Sequence, residues 1–223
     1  MSVRFRLYAI ADRGVFASDQ AWLQAVEEAA RQLQRGEALQ LRVKSVAPPE
    51  RRKLLAAARN TTRCAVAPVF VNGTTAEAAA LGFTGVHWPE GAIPARPEDG
   101  HLVRGASVHS LAALQRAEAA GADFAVAGPV FDPFSKPGTG IGLEAFARIA
   151  RSSAIPVLAV GGITPERVAA CLEAGAAGVA VVSSLFRTAA LADALASYRA
   201  VLSQLPLQAE TGARSCKPHI VVC

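Results

Sequence analysis

An alternation of two sequence periods over about 200 residues constrains the fold of this chain more than any other feature. Short apolar, β-branched runs typical of buried strands lie at 5–11, 39–44, 64–71, 85–88, 102–109, 124–130, 156–161 and 178–183. Stretches rich in Ala, Leu and Glu with helical spacing lie at 18–35, 49–60, 74–82, 110–121, 143–152, 164–175 and 188–204. The segment 90–101 is rich in Pro and Gly, so it predicts a short helix or none.

Strands that alternate with helices predict a parallel sheet, because each helix carries the chain back to start the next strand. A strand–helix unit of about 25 residues suits a closed (β/α)8 barrel. The competing doubly wound open sheet typically has a G-x-G-x-x-G turn after its first strand, whereas that segment here is ADRGVFASD. We therefore predict an α/β protein with a single-domain TIM barrel over residues 1–205 and a short, loosely ordered C-terminal tail at 206–223.

Composition limits the expected partners and location. The net charge of +5 is spread along the chain, without a basic run interleaved with aromatic residues, so nucleic acid is not an expected partner. No apolar run of about 18 residues occurs, and Arg4 and Arg6 make the first segment a poor signal peptide. We expect a soluble, cytoplasmic protein that does not contact a membrane. The four cysteines lack C-x-x-C spacing and predict reduced thiols, and the ending CKPHIVVC favours a loose tail over a metal site.

The predicted strand 39–44 has an apolar face and a polar face. Its alternate apolar residues share one side, and Gln40, Arg42 and Lys44 share the other. If the apolar side meets the helices, the two cations point into the mouth of the barrel, where active sites form. Buried charges need an anionic partner from the protein or from a ligand, because an unpaired buried charge is costly. The alternative is an edge strand with a solvated basic face.

The last two predicted strands end in a candidate phosphate site. AVGGITPERV places Gly161 and Gly162 at a strand end, before a helix that we expect to begin at Thr164. VAVVSSLF ends the next strand with Ser183 and Ser184. Backbone N–H groups, a helix N-terminus and serine hydroxyls after strands seven and eight commonly bind phosphate in such barrels. A purely structural turn is the alternative for the glycine pair.

Histidine, a side chain suited to proton transfer near neutral pH, occurs at two adjacent strand ends. These residues are His87 in GVHW and His109 in GASVHS, with Ser107 on the same face as His109. Packed, hydrogen-bonded histidines are the alternative. The loop FDPFSKPGTG adds Ser135 and Lys136 among prolines and glycines, and it is either a surface turn or a flap over an anion.

Six segments in order, LYAIAD, LQLRVK, GASVHS, AVAGPVFDPFSK, PVLAVGGIT and GVAVVSSLF, resemble the thiamine phosphate synthase superfamily, which includes the thiazole tautomerase (TenI) branch. The resemblance runs from about residue 5 to 204 and implies a (β/α)8 barrel and a role in thiamine biosynthesis. The synthase of this superfamily joins an aminopyrimidine pyrophosphate to a thiazole phosphate with Mg²⁺, so the resemblance also implies ligands of these two kinds. The residues that match its binding positions are Gln40, Arg42, Lys44 and Ser107 for the pyrimidine pyrophosphate, Ser135 and Lys136 for the flap, and Gly162 and Ser183 for the thiazole phosphate.

Three departures from the resemblance concern the reaction. The synthase has an Asn-Asp pair after strand three, whereas this chain keeps Asn72 but has Gly73. The second metal-binding Asp is replaced by Ala92, which leaves Glu90 as the nearby carboxylate, so little remains to bind Mg²⁺. These positions resemble the tautomerase branch, which needs no metal, although Pro129 stands where that branch has its acid/base histidine.

We therefore expect a TenI-like enzyme that binds a thiazole phosphate without metal or cofactor. The candidates for its proton transfer are His109, His87 and Lys136. The alternative is a thiamine-phosphate synthase that binds an aminopyrimidine pyrophosphate as well and uses Mg²⁺, recruited through Glu90, Asp12 or the pyrophosphate itself. A second alternative is a non-catalytic regulatory or binding relative. A homodimer is a possible assembly that the sequence leaves open.

Overall fold

The computed structural model describes residues 5–132, 139–188 and 190–204. Ser135 and Lys136 of the predicted flap, and the predicted tail at 206–223, lie outside these described residues. No helix in the described part of the chain has the length and apolar content that crossing a membrane requires.

Within the described residues, eight parallel strands close into a barrel, and the last strand pairs with the first. The strands are β1 Leu7–Asp12, β2 Glu37–Arg42, β3 Val69–Asn72, β4 Gly85–Trp88, β5 Val103–Val108, β6 Phe124–Ala127, β7 Val157–Val160 and β8 Gly178–Val181. Each strand pairs in parallel with its neighbours in the sequence. The predicted (β/α)8 TIM barrel is confirmed.

Helices surround the barrel. They are α1 Asp19–Gln32, α2 Pro48–Thr61, α3 Thr75–Leu81, α4 Leu111–Ala119, α5 Gly142–Arg151, α6 Pro165–Glu173, α7 Ser183–Phe186 and α8 Leu191–Gln204. The side chains of Ser18, Thr74 and Ser110 accept hydrogen bonds from the first turns of α1, α3 and α4, as is typical of helix N-caps. Between β4 and β5 the chain forms the 3-10 turn Glu90–Ala92, in agreement with its Pro and Gly content.

Several strands are shorter than the apolar runs predict, and the short helix α7 was not predicted. The run at 64–71 becomes a strand only at Val69, directly after Pro68, which has no N–H to donate to the sheet. The strand predicted at 124–130 ends at Ala127, before Gly128 and Pro129, for the same reason. The predicted strand 178–183 ends at Val181, and the chain turns at once into α7.

Two apolar clusters place the open space of the barrel at one end. One lies between the strands and the helices, and it includes Leu39 and Leu41 of β2. The other fills the barrel interior with aromatic rings, with centroids 5.4 Å apart for Tyr8 and Phe124 and 5.5 Å apart for Phe70 and Phe124. Since these rings fill the N-terminal half of the interior, the cavity of the barrel opens at the carboxyl ends of the strands.

Candidate active site

A cavity of about 370 Å³ lies at the carboxyl ends of the strands. Its lining includes these predicted site residues: Gln40, Arg42, Lys44, Asn72, His87, Glu90, Ser107, His109 and Gly161. A larger concavity of about 510 Å³ lies outside the barrel between α1 and the α7–α8 connection, and it contains none of the predicted residues. Active sites of this fold form at the carboxyl ends of the strands, so the smaller cavity is the candidate active site.

The polar face of β2 points into this cavity, as its alternation predicts. Gln40 and Arg42 line the cavity, and Lys44 stands just beyond the strand end. Arg42 forms an ion pair with Asp12, its register partner on β1, so a carboxylate of the protein compensates part of the Arg42 charge. From the sequence, Asp12 is only a possible Mg²⁺ ligand, and its pairing with Arg42 is not predicted. The parallel pairing of the first two strands is the signal that could have placed it beside Arg42.

Three buried polar atoms of the described residues have no hydrogen-bond partner: Gln40 Oε1, Arg104 Nε and Ser183 Oγ. Two of them, Gln40 Oε1 and Ser183 Oγ, lie at or next to the candidate active site, in side chains that are 2% and 8% exposed. Leaving such an atom unpaired costs about 1–3 kcal/mol, so buried polar atoms of this kind usually bond to a ligand or to water. Gln40 lines the cavity, and Ser183 follows Val182, which lines it too. Gln40 Oε1 therefore marks a position where a ligand in the cavity would gain a hydrogen bond, and Ser183 Oγ lies one residue beyond the cavity lining.

His87 lies deeper in the barrel than a residue at the cavity rim. It is 1% exposed, and its Nδ1 lies 3.3 Å from the Tyr8 hydroxyl while its Nε2 lies 2.9 Å from Ser107 Oγ. Burial, with a smaller contribution from the Arg42 cation, lowers the pKa of His87 to about 3. His87 is therefore neutral at physiological pH. Tyr8 was not predicted as part of the site, because in the sequence it belongs to an ordinary apolar strand.

His109 lies at the rim and makes a different set of contacts. Its Nδ1 forms a hydrogen bond with the carbonyl oxygen of Gly128, which requires a proton on Nδ1. In the neutral ring Nε2 then carries a lone pair, the state that a general base needs. The His109 backbone N–H donates to Glu90 Oε2 at 3.0 Å, and Glu90 Oε1 pairs with Arg116 at 3.1 Å.

The two glycines after β7 allow close packing of neighbouring backbone. Gly161 and Gly162 have φ of +96° and +62°, and a Cβ at Gly161 would lie 2.3 Å from Pro129 Cβ. A Cβ at Gly162 would lie 2.6 Å from the carbonyl oxygen of Asp132. The close packing alone therefore requires glycine at both positions, whether or not a ligand binds. Helix α6 begins at Pro165 with Thr164 as its N-cap residue, as predicted.

Ser184 is placed differently from the other predicted residues. Its hydroxyl donates to the carbonyl oxygen of Ile163 at 2.6 Å and lies 2.9 Å from the Tyr198 hydroxyl. Tyr198 belongs to α8 and also donates to Ile163. The structure therefore uses Ser184 to join the β7–α6 loop to α8.

The described residues of the cavity do not fit a Mg²⁺ site. Among the described residues, no group of three or more His, Cys, Asp or Glu side chains is arranged to hold a metal ion. A Cβ at Gly73 would lie 2.1 Å from Glu77 Oε2, and Glu77 is paired with Arg51, so the place of a carboxylate side chain is taken by an ion pair. Both carboxylate oxygens of Glu90 are already hydrogen-bonded.

Comparison with known proteins agrees with this geometry. A family model described as thiamine monophosphate synthase matches residues 7–185. The chain belongs to this family. It is 34% identical over 183 residues to a putative thiamine-phosphate synthase 2 of Aquifex aeolicus, covering 80% of this chain and 96% of that protein. It is 31% identical to the thiamine-phosphate synthase of Pyrococcus furiosus, covering 91% of this chain and 97% of that protein.

Solved structures support the same assignment. A thiamine phosphate pyrophosphorylase structure from Pyrococcus furiosus has a TM-score of 0.71 at 30% identity and covers 91% of this chain and 98% of that one. A 3-hexulose-6-phosphate synthase, at 17% identity and a TM-score of 0.62, covers 88% of this chain and 99% of that chain and shows the fold alone. This member of the thiamine monophosphate synthase family is therefore an enzyme of thiamine biosynthesis. The names of the relatives favour the synthase alternative over the expected tautomerase activity.

Proposed function

We propose that this enzyme is a thiamine-phosphate synthase, which joins an aminopyrimidine pyrophosphate to a thiazole phosphate. The observation that carries the proposal is the row of Gln40, Arg42 and Lys44 along one wall of the cavity. The row supplies two cations and one unpartnered amide oxygen. A pyrophosphate needs the cations, and an amino group on a pyrimidine is a suitable donor to the amide oxygen. The synthase relatives support the same conclusion.

The reaction breaks the C–O bond between the pyrimidine methylene carbon and the pyrophosphate, and the thiazole nitrogen forms a new C–N bond to that carbon. The departing pyrophosphate gains negative charge as the bond breaks. Arg42 and Lys44 line the wall where that charge would develop, and cations already in place stabilise such a transition state. The part of the chain that the structure describes offers no carboxylate set for Mg²⁺, so we assign the stabilisation of the leaving group to these two side chains.

We assign the thiazole phosphate to the other side of the cavity, by the ends of β7 and β8. There the backbone of Gly161 and Gly162 and the unpartnered Ser183 hydroxyl would donate to phosphate oxygens. Holding the two substrates side by side converts a bimolecular reaction into an effectively unimolecular one.

A second candidate function is the metal-independent thiazole tautomerase activity. Gly73, with its Cβ position taken by the Glu77–Arg51 pair, is the observation that favours it, because that branch needs no metal carboxylate. His109 is then the candidate base, through the lone pair on Nε2. His87 is a poorer candidate, since it is buried and hydrogen-bonded at both ring nitrogens.

One assay separates the two functions. Protein purified from a host that lacks its own thiamine-phosphate synthase is mixed with both substrates, with Mg²⁺ or with EDTA, and thiamine phosphate is followed by thiochrome fluorescence. We expect product, and Arg42→Ala, purified identically, should form far less of it. No product from protein that binds thiazole phosphate would refute the synthase proposal. Exchange of a thiazole ring proton for deuterium, lost in His109→Gln, would then support the tautomerase.

A further inference from the structure

A hydrogen-bonded chain runs from the packed interior of the barrel to the cavity. Its members are Tyr8 on β1, His87 on β4 and Ser107 on β5. Tyr8 is fully buried among the rings of Phe5, Phe70 and Phe124, whereas Ser107 lines the cavity. His87 joins the two, one ring nitrogen to each hydroxyl. These two hydrogen bonds therefore link the hydroxyl of a buried tyrosine, through His87, to a hydroxyl at the ligand site.

Tyr8, at the buried end, determines which group donates and which accepts in each of these hydrogen bonds. Desolvation raises the pKa of Tyr8 well above its ordinary value, so its hydroxyl keeps its proton. Among the described residues, that hydroxyl is hydrogen-bonded to His87 Nδ1 and to no other group. A buried donor without an acceptor is costly, so Tyr8 donates and Nδ1 accepts.

The neutral imidazole then has one possible tautomer. With Nδ1 accepting, the ring proton lies on Nε2, which donates to Ser107 Oγ at 2.9 Å. Ser107 accepts this bond with one lone pair, so its own hydrogen remains available to the cavity. In the opposite tautomer the Tyr8 hydroxyl hydrogen would be unpaired, and Ser107 would have to donate to the ring rather than to a ligand.

We propose that Tyr8 and His87 are positioning residues that hold Ser107 as a hydrogen-bond donor to an unprotonated ring nitrogen of the bound aminopyrimidine. The identity of the ligand in this inference rests on the proposed function. The donor–acceptor order of the hydrogen bonds from Tyr8 to Ser107 is a property of the protein alone. The arrangement selects ligands with a lone pair at that position and disfavours those with an N–H there, because two donors would face each other.

The donor–acceptor order of these hydrogen bonds is tested in the ligand-free enzyme, which keeps this test separate from the synthase activity. Long-range proton–nitrogen correlation spectra of protein with ¹⁵N-labelled histidine report which ring nitrogen carries the proton, and the His87 signals are those lost in His87→Gln. At pH 7 we expect a protonated Nε2 and a bare Nδ1. Tyr8→Phe, which keeps the aromatic packing, should let the opposite tautomer populate. A protonated Nδ1 in the wild-type enzyme would overturn the proposal.

Tyr198→Phe is the matched control, because Tyr8 and Tyr198 are the two tyrosines of the chain and both hydroxyls are hydrogen-bonded inside the fold. It should leave the His87 signals unchanged, and a tautomer change in this variant as well would mean a general structural effect. In kinetic assays, Tyr8→Phe should raise KM for the aminopyrimidine pyrophosphate about 3- to 10-fold and leave KM for thiazole phosphate within about 2-fold. Equal changes in both KM values, or none, would overturn the positioning role.

Discussion

The sharpest test of the two-sided cavity is Arg42→Ala. Arg42 lines the cavity on β2, whereas the proposed thiazole phosphate site lies by the ends of β7 and β8. Removing the guanidinium should therefore weaken a pyrophosphate-bearing ligand and leave thiazole phosphate nearly unaffected. The comparison of two ligands on one variant separates a local effect from a loss of folding.

The expected size follows from the surroundings of Arg42. A charge pair about 4 Å apart interacts by about 4 kcal/mol at an effective dielectric constant of about 20. Only part of this interaction energy is available to a ligand, because Arg42 is also paired with Asp12 and its side chain is 21% exposed to solvent. We therefore expect a loss of about 2–3 kcal/mol, or roughly a 30- to 150-fold increase in Kd, for a pyrophosphate ligand. For thiazole phosphate we expect less than about a 3-fold change.

The assay is calorimetric titration with inorganic pyrophosphate and with thiazole phosphate. In the single variant the Asp12 carboxylate loses its partner and repels the incoming anion, so Arg42→Ala combined with Asp12→Asn should regain some of the lost affinity. Arg42→Lys is the matched control for charge, since it keeps the cation but loses the bidentate geometry. Equal losses for both ligands would refute the assignment of separate sides to the cavity.

Three further outcomes are expected. Ser183→Ala should reduce the affinity for thiazole phosphate by about 1–3 kcal/mol and spare pyrophosphate, and titration with both ligands would detect an unexpected equal loss. Gly161→Ala should destabilise the fold by about 2 kcal/mol or more in urea unfolding, because φ is +96° and the new Cβ would meet Pro129; an unchanged midpoint would refute the packing argument. The pKa of His87 is lowered to about 3, so the unfolded chain binds the extra proton below about pH 6.5. Stability should therefore fall as the pH drops from about 6.5 towards 3, and this slope should be smaller in His87→Gln, which denaturant unfolding at several pH values would measure.

Much of the site could be predicted because strand periodicity assigns each side chain to a face. Once β2 is a barrel strand, Leu39 and Leu41 must meet the helices and Gln40 and Arg42 must meet the interior, as the structure shows. The same argument places His87 and Ser107 in the cavity. It does not work for Ser184, because after β8 the chain enters the short helix α7 and the period of two no longer applies.

The alternation of strands and helices, read from the sequence alone, predicted the closed barrel, the end that holds the cavity and many of the residues that line it. The tertiary structure alone decided which of those residues are partners. Tyr8 and His87 are 79 residues apart, and Arg42 and Asp12 are 30 apart, so no local pattern connects them. Their contacts depend on strand register and on the diameter of the closed barrel, which bring side chains from different strands within hydrogen-bond distance. For that physical reason the sequence reveals much of the lining of the site, and only the fold reveals its hydrogen bonds.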